Sequence, residues 1–276
     1  MNNNQNPSQE IVNHLKTLLN SGKFSDAYEK AETIIKQYPK SFISWNILGV
    51  SLYELKKFDD AIKSYEKAVS LNPKYTHAYI NLGVALRAKG KLDTAINFSK
   101  KAILNEPHNP LAYNNLGALF TEQGKFDEAI EVYKKVILMQ PNYAEAHNNL
   151  GLALRELGKI DEAIEAYKQA LTLQPDYSNA YNNLSAALRD KGEFNEAIEA
   201  CKKAISLQSD NADPYYNLGI LLKDQGNFNE AIESYKKAIS LQSDYLVAYN
   251  NLGNVFLELG NIDEAIESYN KALLLN

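Results

Sequence analysis

Cysteine is almost absent from this chain, since Cys201 is the only one in 276 residues. One thiol cannot form an internal disulfide, and such low usage is typical of proteins from a reducing compartment. The sequence has only four histidines, which are scattered without neighbouring cysteines or acidic clusters: His14, His77, His108 and His147. The short motifs of zinc, serine-hydrolase and phosphate-binding sites are missing. We therefore predict no metal, no cofactor and no catalytic residue, and a protein that is not an enzyme.

Long apolar runs and an excess of positive charge are also missing. No apolar run reaches the roughly 20 residues that span a bilayer, and the polar residues 1–7 lack the apolar centre of a signal peptide. The net charge is -5, whereas nucleic-acid binding requires a basic face. We expect a cytoplasmic protein with neither a nucleic acid nor a membrane as its partner.

What the sequence does contain is a repeat of 34 residues, and its glycines mark this repeat most clearly. Consecutive members of each glycine set are 34 or 68 residues apart. The first set is Gly49, Gly83, Gly117, Gly151, Gly219 and Gly253, and the second is Gly22, Gly90, Gly124, Gly158, Gly192, Gly226 and Gly260. Such a period is the signature of a solenoid, in which each repeat contacts only its neighbours.

The period divides the chain into a short tail and eight repeats. Residues 1–7 form a polar N-terminal tail, and we number the places within a repeat so that Gly49 is at place 8. The repeats are then 8–41, 42–75, 76–109, 110–143, 144–177, 178–211, 212–245 and 246–276.

Each repeat is predicted to contain two helices. In the first helix apolar residues recur at helical spacing, as in Tyr113, Leu116 and Phe120. A glycine of the second set should end this helix in the left-handed conformation. We expect an aspartate or asparagine to open and cap the second helix, as at Asp127, Asp161, Asn195 and Asp263. Proline should stop the second helix in five repeats, at Pro39, Pro73, Pro107, Pro141 and Pro175.

These features resemble the tetratricopeptide repeat (TPR) family over residues 8–276. The Tyr-Asn-Asn-Leu-Gly runs at 113–117 and 249–253 are close to the family consensus, as are an alanine at place 20 of every repeat and the closing prolines. The resemblance implies an all-α fold, a right-handed α-solenoid of stacked helix-turn-helix units. It also implies that the first helices line a concave groove.

The groove is the candidate binding site, because place 6 should face it and carries asparagine in seven repeats. The members are Asn13, Asn81, Asn115, Asn149, Asn183, Asn217 and Asn251, with Ile47 as the exception. An amide both donates and accepts hydrogen bonds, so such a column could hold the backbone of an extended protein segment without reading its side chains. In the similar TPR superhelix of O-GlcNAc transferase, a ladder of this kind contacts bound protein substrates.

The competing interpretation is that asparagines bond to neighbouring repeats and only stiffen the stack. We expect that role for the asparagines at place 5, which are Asn46, Asn114, Asn148, Asn182 and Asn250. A basic row at place 12 lies at the groove edge: Arg87, Arg155, Arg189 and Lys223. It is followed at place 13 by a mainly acidic row, and the two rows are expected to pair as surface salt bridges. An acidic row that stays available would favour a neutral or basic ligand.

We therefore predict a protein-protein interaction scaffold. One alternative is the recognition region of a larger enzyme, such as a glycosyltransferase of the O-GlcNAc transferase type, with its catalytic domain elsewhere. Another is a structural protein that self-associates through its C-terminal end, since residues 273–275 are leucines and a polar cap is missing there. TPR co-chaperones that hold acidic tails are excluded, because the lysines and arginines of their clamp are missing here.

Overall fold

A computed structural model describes residues 6–275, and this part of the chain consists of sixteen α-helices without strands. The N-terminal block, within residues 6–140, contains α1 to α8, and the C-terminal block, within 141–275, contains α9 to α16. The helices are α1 Gln9–Asn20, α2 Phe24–Gln37, α3 Phe42–Glu54, α4 Phe58–Leu71, α5 Thr76–Ala88, α6 Leu92–Asn105, α7 Pro110–Glu122, α8 Phe126–Met139, α9 Ala144–Glu156, α10 Ile160–Leu173, α11 Ser178–Lys191, α12 Phe194–Leu207, α13 Ala212–Asp224, α14 Phe228–Leu241, α15 Leu246–Glu258 and α16 Ile262–Leu274.

The fold is an all-α solenoid of helix pairs, as the sequence predicts. Within each block every helix packs against the next one in the chain, and each first helix also contacts the first helix of the following pair. From α3 onward, every first helix begins at the residue predicted to begin a repeat. The same place in different repeats is therefore an equivalent position on successive helix pairs.

The first helices end at residues in the left-handed conformation, as predicted. All seven glycines of the second set have positive φ, between 69° and 86°. Repeat 2 has Lys56 at this place with φ 60°, the only positive-φ residue other than glycine in the described chain. The geometry of the turn is thus kept even where the sequence lacks the residue that adopts it most readily.

The prediction for the second-helix caps is wrong. Asp127, Asp161, Asn195 and Asp263 are each the second residue of their helix, and the preceding cap residues, such as Lys125 and Lys159, form no side-chain cap hydrogen bond. The three aspartates still lie in the first helical turn, where negative charge complements the helix dipole. Proline is also not needed to stop the second helix, because α12 and α14 end at the same place with Ser209 and Ser243 in its stead.

Close helix packing within five of the helix pairs depends on a glycine at place 8 and an aromatic ring at place 24. A Cβ added to Gly117 would lie 2.5 Å from Cε1 of Tyr133. The same arrangement joins Gly49 to Tyr65, Gly151 to Tyr167, Gly219 to Tyr235 and Gly253 to Tyr269. In repeats 1 and 6, where the ring is missing, place 8 carries the larger residues Leu15 and Ser185, whereas repeat 3 keeps Gly83 opposite Ser99.

In repeat 6 a larger residue at place 8 faces a smaller one at place 24, because Ser185 replaces the glycine and Cys201 replaces the tyrosine. Both side chains are fully buried. Burial raises the pKa of the Cys201 thiol to about 11. Cys201 is therefore a small buried core residue of repeat 6.

The two ends of the described chain differ in polarity. In α1, exposed Glu10, His14 and Thr17 stand at places where later first helices bury small or aliphatic residues. In α16, by contrast, Ile262, Ile266 and Leu273 are exposed. Residues 1–5 of the predicted tail and Asn276 lie outside the described part, and Pro7, the last tail residue, is buried.

Candidate functional site

The place-6 asparagines lie on the first helices, and six of them are half-buried: Asn81, Asn115, Asn149, Asn183, Asn217 and Asn251. Asn13 is exposed, and its Oδ1 accepts a hydrogen bond from Gln9 at 2.8 Å. Ile47 is buried, so the column is interrupted in repeat 2. The column amides therefore remain partly accessible from Asn81 onward.

Several repeats are linked to the one before them by a hydrogen bond from place 6 to place 5. The Nδ2 of Asn81 donates to Oδ1 of Asn46 at 3.0 Å in the N-terminal block. In the C-terminal block, Asn183 donates to Asn148 at 3.0 Å and Asn217 donates to Asn182 at 2.8 Å. Partners are 35 residues apart, one more than the repeat, because neighbouring first helices meet with an offset of one place.

Two other positions show what determines this bond. In repeat 7 place 5 is Tyr216, whose hydroxyl oxygen accepts from Nδ2 of Asn251 at 3.1 Å. In repeat 3 place 5 is Ile80, which offers no side-chain acceptor, and Asn115 has no side-chain hydrogen bond to any described residue. The amide of Asn115 is thus the least constrained of the half-buried column.

The expectation that place-5 asparagines join neighbouring repeats is confirmed for Asn46, Asn148 and Asn182. Asn148 also donates from Nδ2 to Oδ1 of Asn149 at 3.2 Å, which links the two asparagine columns within one helix. Asn46, Asn114 and Asn148 are buried, as suits structural amides. Side chains of place 5 and place 6 are thus hydrogen-bonded to one another in pairs or short chains, whereas the sequence treats them as two separate sets.

This geometry fixes the orientation of several column amides. Because Nδ2 of Asn81, Asn183 and Asn217 is held by the preceding repeat, Oδ1 of each is left without a donor among the described residues. A carbonyl oxygen has two acceptor lone pairs. The oriented part of the column therefore presents acceptors rather than donors.

The basic row at the groove edge is paired with acids of place 13. Nε of Arg155 donates to Asp190 at 2.7 Å, and Nζ of Lys223 lies 3.3 Å from Glu258. Arg87 pairs with Glu122 in the same way, again across 35 residues. Arg189 pairs with the neighbouring Asp190 at 3.3 Å. All four predicted groove-edge cations are thus neutralised by carboxylates.

Three acids of the same row are not in any ion pair of the described residues: Glu54, Glu156 and Asp224. The net charge along places 12 and 13 is therefore negative.

His77 is exposed, and its ring packs against that of Tyr75, with 5.7 Å between the ring centroids.

Within residues 6–275 no cluster of histidine, cysteine, aspartate or glutamate could hold a metal ion. The described helices also include none that is long and apolar enough to cross a membrane. The polar network of the first helices is thus the strongest candidate site in the described chain.

Sequence reasoning missed two parts of this network. Tyr216 was not expected to contribute, because it interrupts the asparagines of place 5. The 35-residue pairing of amides and of charges was also missed. The sequence does contain a sign of this pairing. The basic row at place 12 is followed by the acidic row at place 13, just as the asparagines of place 5 are followed by those of place 6.

Comparison with known sequences gives tetratricopeptide repeat matches along most of the chain. The matched residues are 42–75, 64–97, 110–176, 166–199 and 212–275, and a further TPR repeat match covers 186–226. No curated protein matches the sequence significantly.

Solved structures with the same fold include a chain of the APC/C hetero-tetramer Cut9-Hcn1, at TM-score 0.78 and 20% identity. That match covers 88% of this chain and 48% of the other, so this chain spans about half the length of that protein. A tetratricopeptide repeat protein from Parabacteroides merdae matches at TM-score 0.73 and 18% identity, over 90% of this chain and 98% of that one.

The structure of MamA is more similar in sequence, at 35% identity with a TM-score of 0.52, over 58% of this chain and 94% of MamA. The family matches, the packed helix pairs and these structures agree. The chain belongs to the tetratricopeptide repeat family, whose members serve as protein-interaction scaffolds.

Proposed function

We propose that this chain is a non-catalytic scaffold that binds an extended protein segment along its first helices, through the asparagines of place 6. The observation that carries the proposal is the orientation of the column amides by the preceding repeat. A ligand meeting preset groups need not order them on binding, and this lowers the entropic cost of association.

The available atoms indicate which ligand groups would be bound. Oδ1 of Asn81, Asn183, Asn217 and Asn251 can accept hydrogen bonds, and the N–H groups of an extended backbone are donors spaced along a line. One such bond contributes only about 0.5–1.5 kcal/mol. Several repeats would therefore have to act together.

The charges favour a neutral or basic segment. Arg87, Arg155, Arg189 and Lys223 are paired, whereas Glu54, Glu156 and Asp224 are not in ion pairs of the described chain. An acidic segment would meet unpaired carboxylates and would find the nearby cations already bound. A lysine- or arginine-containing segment would be attracted, most strongly at low salt.

Binding can be tested with three unstructured peptides of equal length that carry a positive, zero or negative net charge. We expect fluorescence anisotropy to give the tightest binding for the basic peptide and the weakest for the acidic one. Replacing Asn115, Asn149, Asn183 and Asn217 together by alanine should weaken binding by about tenfold or more, since up to four bonds of the above strength are removed.

Asn250→Ala is the matched control, because it removes a place-5 amide that holds no place-6 amide of the described chain. It should leave peptide affinity unchanged. The ladder proposal is wrong if the fourfold variant binds the basic peptide as tightly as the original chain does. Tightest binding of the acidic peptide would overturn the charge argument alone.

A second candidate function is self-association, favoured by the exposed apolar residues of α16. Ile266 is 52% exposed, whereas Ile232 at the same place of α14 is 7% exposed and belongs to a core cluster with Leu252 and Val255 of α15. We propose that Ile262, Ile266 and Leu273 contact the α16 of a second copy. A head-to-tail contact is less favourable, because the polar residues Glu10 and His14 would face them.

Light scattering at several protein concentrations tests this contact. We expect a monomer-dimer equilibrium that Ile266→Glu shifts to monomer, while Ser240→Glu on the exposed surface of α14 leaves it unchanged. A strict monomer at every concentration would remove the self-association proposal.

A further inference from the structure

The second helices α6 and α8 carry two of the most exposed leucines of the described chain. Leu104 is 78% exposed and Leu138 is 83% exposed. Both occupy place 29, in consecutive repeats of the N-terminal block. Single exposed leucines are common on protein surfaces, so the exposure gains meaning only from what surrounds it.

The fold does not require leucine at this place. Hydroxyl residues occupy it in four other repeats, as Ser70, Thr172, Ser206 and Ser240. In α12 and α14, Ser206 and Ser240 donate from Oγ to a backbone carbonyl of their own helix. Leu274 of repeat 8 is exposed at the same place, but only one lysine, Lys271, precedes it by three or four residues. An exposed leucine that follows a pair of lysines is therefore a local property of repeats 3 and 4.

Pairs of lysines precede both leucines by three and four residues, which places them on the same side of each helix. They are Lys100 and Lys101 in α6, and Lys134 and Lys135 in α8, and all four are exposed. Nζ of Lys101 lies 4.9 Å from the centroid of the Phe98 ring, and Nζ of Lys135 lies 4.4 Å from that of Tyr113. These cation-π contacts hold two ammonium groups close to the helix surface.

None of these four lysines is in an ion pair of the described residues, whereas two lysines of the C-terminal block, at the place of Lys100 and Lys134, are. Lys202 pairs with Glu199 at 3.0 Å, and Lys236 pairs with Glu233 at 3.8 Å. In α6 the place of Glu199 is taken by Asn97, which carries no charge. In α8 it is taken by Glu131, which forms no ion pair with Lys134. Repeats 3 and 4 thus combine uncompensated positive charge with exposed leucine.

We propose that Lys100, Lys101, Leu104, Lys134, Lys135 and Leu138 form a second docking surface, which we term the outer patch, for an acidic amphipathic protein helix. Its apolar side would cover the two leucines, and its carboxylates would pair with the lysines. The outer patch lies on the second helices, whereas the place-6 asparagines lie on the first helices. One scaffold could therefore hold two partners by different chemistry.

The test uses the full chain and a synthetic acidic amphipathic helix of about five turns, with leucines at helical spacing. A peptide of the same composition in scrambled order is its control. We expect the amphipathic peptide to bind and the scrambled one to bind at least about tenfold more weakly, because only the former aligns its leucines. Equal binding of the two peptides, or no binding of the amphipathic one at low salt, would overturn the proposal.

The variant Leu104→Ser with Leu138→Ser is the decisive one, because the chain itself uses serine at this place in α12 and α14. It should lower affinity for the amphipathic peptide by about tenfold and leave the thermal midpoint unchanged. Unchanged affinity would show that the leucines do not dock the peptide. Asn115→Ala should not alter this affinity, which separates the outer patch from the groove.

A reciprocal variant and a binding experiment with lipid vesicles complete the test. Ser206→Leu with Ser240→Leu, combined with Glu199→Asn and Glu233→Asn to release Lys202 and Lys236 from their ion pairs, creates the same combination in α12 and α14. The stoichiometry of peptide binding should then rise from one to two. An unchanged stoichiometry would contradict the proposed recognition. Vesicles that contain phosphatidylserine serve as an alternative anionic surface, and vesicle binding without peptide binding would replace the protein partner by a membrane.

Discussion

Gly117 and Tyr133 are complementary in volume, because the tyrosine ring occupies the space of the side chain that the glycine lacks. A Cβ built on Gly117 would stand 2.5 Å from Cε1 of the ring, well inside van der Waals contact. The ring is almost completely buried, and its hydroxyl lies 3.2 Å from Oγ1 of Thr121. The pair therefore sets how closely α7 and α8 approach.

We predict that Gly117→Ala destabilises the protein by about 1–3 kcal/mol through overpacking. Gly83→Ala should be nearly neutral, since its Cβ would meet Oγ of Ser99 at 3.1 Å, a hydroxyl that can rotate, and the Ala95 carbonyl oxygen at 3.5 Å, which is ordinary van der Waals contact. Alanine also gains about 0.5–1 kcal/mol over glycine inside a helix. Urea unfolding of both variants measures the difference.

A double-mutant cycle identifies the ring as the cause. In a Tyr133→Ser background, which imitates repeat 3, the substitution Gly117→Ala should lose most of its cost. Equal destabilisation by Gly117→Ala in both backgrounds would show that the ring is not what excludes the methyl group.

This pair shows why the fold was largely predictable from the sequence. Glycine, alanine and aromatic residues at a fixed period mark close helix contacts, so the helix pairs and the beginnings of the first helices from α3 onward followed from spacing. The capping role given to Asp127 failed because a side chain at the second helical position cannot be distinguished by spacing from one at the cap. The residue at which a helix begins depends on backbone angles, and one residue type does not determine these angles.

The candidate site was predicted less completely. Asn81 and Asn217 were correctly placed on the first helices, but their bonds to Asn46 and Asn182 depend on the one-place offset between neighbouring helices. That offset arises from the packing of helices in neighbouring repeats, so it cannot be inferred from the sequence of one repeat. The role of Tyr216 as an acceptor follows from the same offset and was missed for the same reason.

Lys56 carries a backbone strain that glycine would relieve. Its φ of 60° is adopted by glycine in the seven other repeats, and the left-handed conformation costs a residue with a side chain roughly 1–2 kcal/mol. We predict that Lys56→Gly raises stability by about 0.5–1 kcal/mol, after part of the gain is offset by the more flexible unfolded chain.

Gly124→Lys is the reciprocal variant and should lower stability by about 1 kcal/mol. Thermal unfolding followed by circular dichroism measures both changes. A lower midpoint for Lys56→Gly would contradict the assignment of strain to this residue.

Cys201 should be unreactive in the folded protein. It is fully buried, and burial raises its pKa to about 11, so at pH 8 only about one thiol in a thousand would be ionised. Thiol labelling should be slow in buffer and should reach one equivalent in urea. Rapid labelling of the folded chain at pH 8 would show that repeat 6 opens.

The same pKa shift predicts a dependence of stability on pH. Above the ordinary thiol pKa the unfolded chain loses a proton that the folded chain retains, so this contribution to stability falls as pH rises toward 11. The burial of tyrosines has a similar effect, and the difference between the original chain and Cys201→Ala isolates the thiol. The stability of the original chain relative to Cys201→Ala should therefore fall between pH 8 and pH 10, and a difference that stays constant would contradict the shift.

The asparagines of place 6 should differ in their effect on stability, because their amides differ in their partners. Asn217→Ala leaves the Oδ1 of Asn182 without its donor, and a partly buried acceptor that loses its partner costs about 1 kcal/mol or more. Asn115→Ala removes no hydrogen bond within the described chain, and alanine is the better helix former by several tenths of a kcal/mol. Urea unfolding should therefore show Asn217→Ala to be destabilised and Asn115→Ala to be unchanged or slightly stabilised. Equal losses in both variants would mean that the 35-residue amide bonds do not hold the repeats together, and the column would then be free to rotate toward a ligand.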